Sequence, residues 1–278
     1  MSNIRDSLQY DYVSVVGGRL YYEIKGTGHP IVLIHAGFLD RRMWDEQFEL
    51  FAKDFKVIRY DVRGFGKSSR PAEKYSDIED LHTLLTSLKV ENTYLVGVSN
   101  GGRIAIDFTI NHQSIVGALI LVGSGVSGYE TSEPEEDKAW AEFDKQIDEP
   151  QQLAAKQGRI IEAVMMDVEA WASAQSPSNR RRILEIATDN SHIHTDPPGR
   201  LQVNPNPPGF KRLAEIRIPT LVMIGDRDVR GMRFIAQQLH ARIPGSSIVE
   251  VPGADHIVNM SQTRAFNRIV LDFLSNPV

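Results

Sequence analysis

A serine hydroxyl acts as a nucleophile only when the backbone exposes it and a neighbouring base takes its proton. Gly97-Val98-Ser99-Asn100-Gly101 meets the first requirement: it matches Gly-x-Ser-x-Gly where the apolar run Tyr94-Leu95-Val96 gives way to the helix-like Arg103-Ile104-Ala105-Ile106-Asp107-Phe108. A serine on so sharp a strand-to-helix turn is forced into a strained conformation, and its neighbours two positions away must lack side chains for strand and helix to approach. Gly97, Gly101 and Gly102 satisfy that demand. The base and its orienter must come from elsewhere. The apolar run at 221–224 ends in Gly225-Asp226-Arg227-Asp228, and that at 248–251 ends in Pro252-Gly253-Ala254-Asp255-His256. Both place polar groups at the carboxyl edge of a sheet, where the sites of open α/β folds collect. Of the eight histidines, His256 alone follows a late strand at this edge, so it is the expected base, with Asp226 or Asp228 as its orienter. An oxyanion needs aimed donors. The backbone N–H of Asn100 supplies one, and the loop after the run at 31–34, His35-Ala36-Gly37-Phe38, is expected to supply the second from Gly37.

These residues need elements to hold them, and apolar runs alternating with helix-period segments predict a mostly parallel sheet covered on both faces. Tyr12-Val13-Ser14-Val15-Val16 and Leu20-Tyr21-Tyr22-Glu23-Ile24, parted by Gly17-Gly18, read as an opening hairpin. Short β-branched runs at 31–34, 57–60, 93–96, 116–122, 221–224 and 248–251 read as buried strands. Trp44, Phe48 and Phe51 mark one helix, Ile78, Leu81, Leu85 and Leu88 a second, and Phe266, Ile269, Val270, Phe273 and Leu274 the last. Residues 126–212 break the rhythm: Trp140, Phe143 and Ile147 share one helical face, and Ile161, Val164, Val168 and Trp171 another. Pro197, Pro198, Pro205, Pro207 and Pro208 are expected to forbid regular structure across 196–209. The prediction is an α/β core at 1–125 and 213–278 with a helical cap at 126–212, inserted before the last two strands. Met165 and Met166 either line an adaptable pocket or pack within the cap.

The 278 residues carry 31 basic and 36 acidic side chains, interspersed, for a formal charge of −5, which gives no electrostatic footprint for nucleic acid or an anionic membrane. With no cysteine, disulfides and thiolate chemistry are excluded. The polar start Met1-Ser2-Asn3-Ile4-Arg5-Asp6 leads into no apolar segment of signal-peptide length, and no run approaches the roughly 20 residues of a membrane span, so a cytoplasmic protein is expected. His192-x-His194-x-Asp196 has ligand-like spacing but no second cluster, so no metal is expected. Asp61-x-Arg63-Gly64-Phe65-Gly66-x-Ser68 lacks the endings of both phosphate-loop patterns and reads as a tight structural turn.

Taken in order, His35-Ala36-Gly37, Asp61-x-Arg63-Gly64-x-Gly66-x-Ser68, Gly97-x-Ser99-x-Gly101-Gly102, Gly225-x-x-Asp228 and His256 resemble the α/β-hydrolase fold superfamily, in its esterase, enol-lactonase and C–C hydrolase branch. The resemblance covers nearly all of 12–275 outside the cap. It implies a Ser99–His256–Asp228 triad, since the family's acid is the third residue after the glycine ending its strand, and oxyanion donors at Gly37 and Asn100. It further implies a cofactor-free serine hydrolase of the carboxylesterase or lactonase type, acting on a small, fairly apolar ester or lactone. Two alternatives use the same residues. One is C–C bond hydrolysis of a vinylogous diketone, with Arg159, Arg180, Arg181, Arg182 or Arg200 receiving a carboxylate; the other is a slow-turnover small-molecule receptor. Aspartate-nucleophile members of the fold are disfavoured by Ser99. The sequence departs from the family pattern twice. Ala36 stands where the family has glycine, adding a side chain beside the oxyanion donor. Asp255 replaces the glycine before the histidine, and is expected to modulate His256 or to point to solvent.

Overall fold

The computed structural model describes residues 8–275, so the polar start read above for a leader lies outside the described residues. Its strands are β1 (Gln9–Val15), β2 (Gly18–Lys25), β3 (His29–Ile34), β4 (Phe55–Tyr60), β5 (Thr93–Val98), β6 (Val116–Val122), β7 (Thr220–Gly225) and β8 (Ser247–Val251). They form one eight-stranded sheet in the order β1-β2-β4-β3-β5-β6-β7-β8. The opening hairpin joins it antiparallel through β2 and β4, and all later neighbours are parallel.

Both faces of the central sheet are covered because its inner strands are apolar on both sides, whereas the edge strands β1 and β8 are largely exposed, so 248–251 forms an edge rather than a buried strand. Successive side chains point to opposite faces, and in β3 Ile31 and Leu33 join one core cluster while Val32 and Ile34 join the other. The first cluster packs α1 (Asp45–Phe51) and α10 (Thr263–Ser275) through Phe48, Phe51, Phe266 and Val270. The second packs α2 (Asp77–Ser87), α3 (Asn100–His112) and α8 (Arg230–Arg242) through Leu81, Leu85, Phe108 and Leu239. The short α9 (Val258–Ser261) precedes α10.

Between β6 and β7 the chain leaves the sheet to form the cap, with α4 (Pro134–Phe143), α5 (Glu149–Lys156), α6 (Ile160–Trp171) and α7 (Pro177–Asp189). A π-helical turn, Asp144–Asp148, joins α4 to α5. The proline-rich stretch departs from expectation. Pro198–Leu201 form a 3-10 turn, and Gln202 makes a parallel bridge to Tyr75 of the core. Pro198 opens that turn, where its missing N–H costs nothing, so the prolines shape the segment rather than leaving it irregular throughout.

The strand order also locates a crevice. The chain leaving β3 runs to β4 on one side, and that leaving β5 runs to β6 on the other. Ligands of open α/β sheets bind beyond the carboxyl ends of strands at such a reversal. Here those ends carry the loop with Gly37 and the turn with Ser99.

Candidate active site

Ser99 sits at φ 56° and ψ −115°, a strained conformation for a residue with a side chain, directly before α3. Close packing enforces it. A Cβ added to Gly97 would lie 2.3 Å from the Gly101 carbonyl oxygen, and one added to Gly101 would lie 2.2 Å from that of Ile34. The Ser99 N–H donates to the Val122 carbonyl at 2.9 Å, and its own carbonyl accepts from Arg103 and Gly125 at 3.1 Å, so the turn is pinned to β6 and α3.

His256 and Asp228 meet at the ends of β8 and β7. The ring Nδ1 lies 3.0 Å from each carboxylate oxygen of Asp228, and both side chains are almost fully buried. Nε2 is therefore the nitrogen left to accept a proton. Asp226, the other acid that the spacing allowed, turns away and accepts from the Gly253 N–H at 2.7 Å. Gly123, just past β6, is a residue the sequence reading missed. At φ 47° its added Cβ would lie 2.9 Å from His256 Nδ1 and 3.0 Å from Asp228 Oδ2, so the pair closes only over a glycine. A glycine ending the strand beside the elbow was the available signal.

Ser99, His256, Gly37 and Asn100 all border one cavity of about 440 Å³. Asn100 opens α3, so its N–H has no partner within the helix and lies at the positive end of the helix dipole. A Cβ on Gly37 would lie 3.2 Å from that of Asn100, which puts the two amides on adjacent walls. The Asn100 side chain is held too: its Oδ1 accepts from Arg103 Nε at 2.8 Å, while Arg103 Nη2 donates to Asp77 at 2.6 Å. Ala36 adds no bulk to the cavity, because its methyl is buried in the core. Next to it His35 donates from Nδ1 to the Ala36 carbonyl at 2.8 Å and accepts the Val62 N–H on Nε2 at 2.9 Å. Burial lowers its pKa and favours the neutral ring that this pattern needs.

The Asp61 to Ser68 segment is the structural turn expected. Asp61 accepts from Arg41 and from the Lys67 N–H, while Ser68 closes onto the Asp61 carbonyl. Three other sequence expectations change. Asp255 neither faces the His256 ring nor reaches solvent. It is 1% exposed and accepts the Ala174 N–H and Gln175 Nε2, each at 2.8 Å, from the α6–α7 connection, besides the Ile257 N–H at 3.1 Å. Burial pushes its carboxyl pKa up against those hydrogen bonds. It clasps the cap to the loop that carries His256. Met165 is half exposed on the outer side of α6, and neither it nor Met166 lines the cavity. None of Arg159, Arg180, Arg181, Arg182 and Arg200 lines it either.

The His192-x-His194-x-Asp196 side chains part company. His192 Nε2 lies 2.7 Å from the Gly64 carbonyl oxygen, His194 pairs with Asp167, and Asp196 pairs with Arg200 on the surface. Asn190 adds another clasp, with Nδ2 donating to Asp40 and Oδ1 accepting the Gly66 N–H. Trp171, ending α6, lies over the His256 ring with centroids 4.5 Å apart. No helix among the described residues is long and apolar enough to cross a membrane.

Comparison with known proteins places this geometry in context. A family model for the alpha/beta hydrolase fold matches residues 29–263. The AB hydrolase superfamily protein YisY of Bacillus subtilis is 28% identical over 91% of this chain and 94% of its own. The 2-hydroxy-6-oxo-6-phenylhexa-2,4-dienoate hydrolase of Burkholderia cepacia is 25% identical over 93% of this chain and 92% of its own. Among solved structures, Est816, described as an N-acyl homoserine lactone degrading enzyme, superposes with a TM-score of 0.71 at 26% identity, covering 95% of this chain and all of its own.

Proposed function

The chain belongs to the alpha/beta hydrolase fold family, and on that premise we propose that it is a serine hydrolase cleaving a small, fairly apolar carboxylic ester or lactone through an acyl-enzyme on Ser99. The observation that carries this reading is that the strained Ser99 turn and His256, whose ring Nδ1 is paired with Asp228, line one cavity. In the first half-reaction His256 Nε2 takes the Ser99 proton as Oγ bonds to the carbonyl carbon. The Gly37 and Asn100 amides receive the oxyanion, and the C–O bond to the leaving alcohol breaks as His256 returns the proton to it. Water repeats the cycle on the acyl-enzyme. Asp228 keeps the proton of the resting ring on Nδ1 and stabilises the imidazolium that forms.

The cavity supports the substrate class. Its volume lies at the lower end of the roughly 300–1,000 Å³ of small-molecule sites, and Phe38, Val62, Phe65, Trp171 and Ile193 give it apolar walls. Dienoate C–C hydrolysis, the activity in the name of the Burkholderia relative, fits less well. A dienoate carries a carboxylate, and this cavity has Asp77 and Asp167 in its walls and no lysine or arginine among the described residues.

The test is the initial rate on p-nitrophenyl esters of increasing acyl length, for the wild type beside Ser99→Ala. Turnover with a chain-length optimum and a loss of about 10⁴ to 10⁶ in the variant is expected. Full activity in Ser99→Ala would overturn the mechanism.

A further inference from the structure

The triad lies along the core side of the cavity, yet the cap side is not simply apolar. Gln151 of α5, Asp167 of α6 and His194 of the 3-10 turn after α7 come from three separate cap elements and all reach the cavity. They form a chain. Gln151 Nε2 donates to Asp167 Oδ1 at 2.7 Å and also to the Ala163 carbonyl at 3.2 Å, and Asp167 Oδ2 lies 3.2 Å from His194 Nε2. Asp167 is 8% exposed. Burying a carboxylate and an imidazole, with a half-buried amide, beside Trp171 and Ile193 costs stability that apolar side chains of the same volume would not, so the cluster calls for a purpose other than holding the cap together.

We propose that this cluster is a hydrogen-bond acceptor site that selects esters or lactones bearing a hydroxyl group, with His194 as the residue that meets it. The proposal rests on the ester or lactone reading given above. A carboxylate only accepts, so Asp167 Oδ2 at 3.2 Å from Nε2 favours the tautomer with its proton on that nitrogen, which leaves Nδ1 as the acceptor. Among the described residues no hydrogen bond within the chain uses that Nδ1. Gln151 fixes Asp167 by a hydrogen bond, and Asp167 lies beside the ring. From the core, Asp77 adds a second acceptor to the cavity wall, with Oδ2 held by Arg103 and Oδ1 buried without a partner among the described residues. Acceptors on both walls favour a donor on the substrate and repel a carboxylate.

The experiment compares methyl butyrate, its 2-hydroxy and 3-hydroxy derivatives and monomethyl succinate, by kcat/KM for the wild type, His194→Phe and His194→Asn. Binding of the same esters to Ser99→Ala and to Ser99→Ala/His194→Phe is followed by ligand-observed NMR. At least one hydroxy ester should exceed methyl butyrate by roughly 10-fold in both readouts, the gain expected of one made or unmade buried hydrogen bond. Monomethyl succinate should rank last. The preference should vanish in His194→Phe and largely return in His194→Asn, whose Oδ1 can stand where Nδ1 stood. Equal handling of plain and hydroxy esters by the wild type, or an unchanged preference in a folded His194→Phe, would overturn the proposal. Absence of Ser99-dependent turnover would instead sink the serine hydrolase reading, and the binding ratio would still decide the recognition claim.

Discussion

The two walls of the cavity are built by different means. On the core wall, Ser99, Asp228 and His256 each follow a parallel strand, and the hydrogen-bond ladder of the sheet sets their spacing. On the cap wall, Gln151, Asp167 and His194 are placed by helices packed on one another, and the cap is fastened to the core by polar clasps at Asp255, Asn190 and His192. Backbone pairing tolerates little displacement, whereas side-chain clasps open at modest cost. Chemistry that needs sub-ångström placement is therefore expected on the first wall, and recognition on the second.

Changes on the core wall should cost turnover, and changes on the cap wall should cost affinity or stability. The largest effect below the loss of Ser99 itself is expected at Asp228. Asp228→Asn removes the group that sets the His256 tautomer and should lower kcat by about 10⁴, whereas Asp226→Asn, touching only the Gly253 N–H, should stay within about 10-fold of wild type. Similar losses in both would break the assignment of the acid. Gly123→Ala comes next. The added methyl presses on both His256 and Asp228, and a displacement of that kind should cost on the order of 100-fold in kcat with an unchanged circular dichroism spectrum; a wild-type rate would show that the pair is free to move.

Asp255→Ala probes the cap wall. It strands the Ala174 and Ile257 N–H groups and one of the two Gln175 amide donations, at about 2–4 kcal/mol, read as a melting point lower by about 5–10 °C with KM raised more than kcat is lowered. A pure kcat loss would mean that Asp255 acts on His256 after all. The smallest effect concerns Asp148 in the π-helical turn, whose carboxyl is pushed up to about 6, by burial first and then by Asp144 beside it. A folded-state value above the ordinary 3.8 means that the group's contribution to stability is complete below the ordinary value and is lost as pH rises through about 6. Asp148→Asn should melt above wild type at pH 7 by about 1–2 °C, keep roughly half of that advantage at pH 5, and lose it at about pH 3. An advantage of equal size at all three pH values would remove the titration as its cause.

The same contrast explains what the sequence made legible. Strands β3 to β8 announce themselves as short β-branched runs, and Gly97, Ser99 and Gly101 encode their turn in adjacent residues, so core and elbow could be read together. Asp228 needed the family resemblance, because spacing alone does not say which of two acids turns inward. Asp255 was misread because its partners, Ala174 and Gln175, lie 81 and 80 residues away. The Gln151, Asp167 and His194 chain was invisible for the same reason: cap packing brings three helical segments together with no local pattern to mark it. On α6 the face read from periodicity is right for Val164 and Val168, which are buried, but Ile161 at its first turn is exposed, as is Met165.

The contact between Trp171 and His256 gives the molecule an optical handle on its own reaction. An indole 4.5 Å from an imidazole emits differently when that ring gains a charge, and again when an acyl group or a product crowds the two. Trp44 lies sealed in the core and Trp140 packs against Gly231 of α8, so neither shares that environment. The change in native fluorescence on mixing with substrate is thus expected to originate at Trp171, and to time cap and base together without any added label.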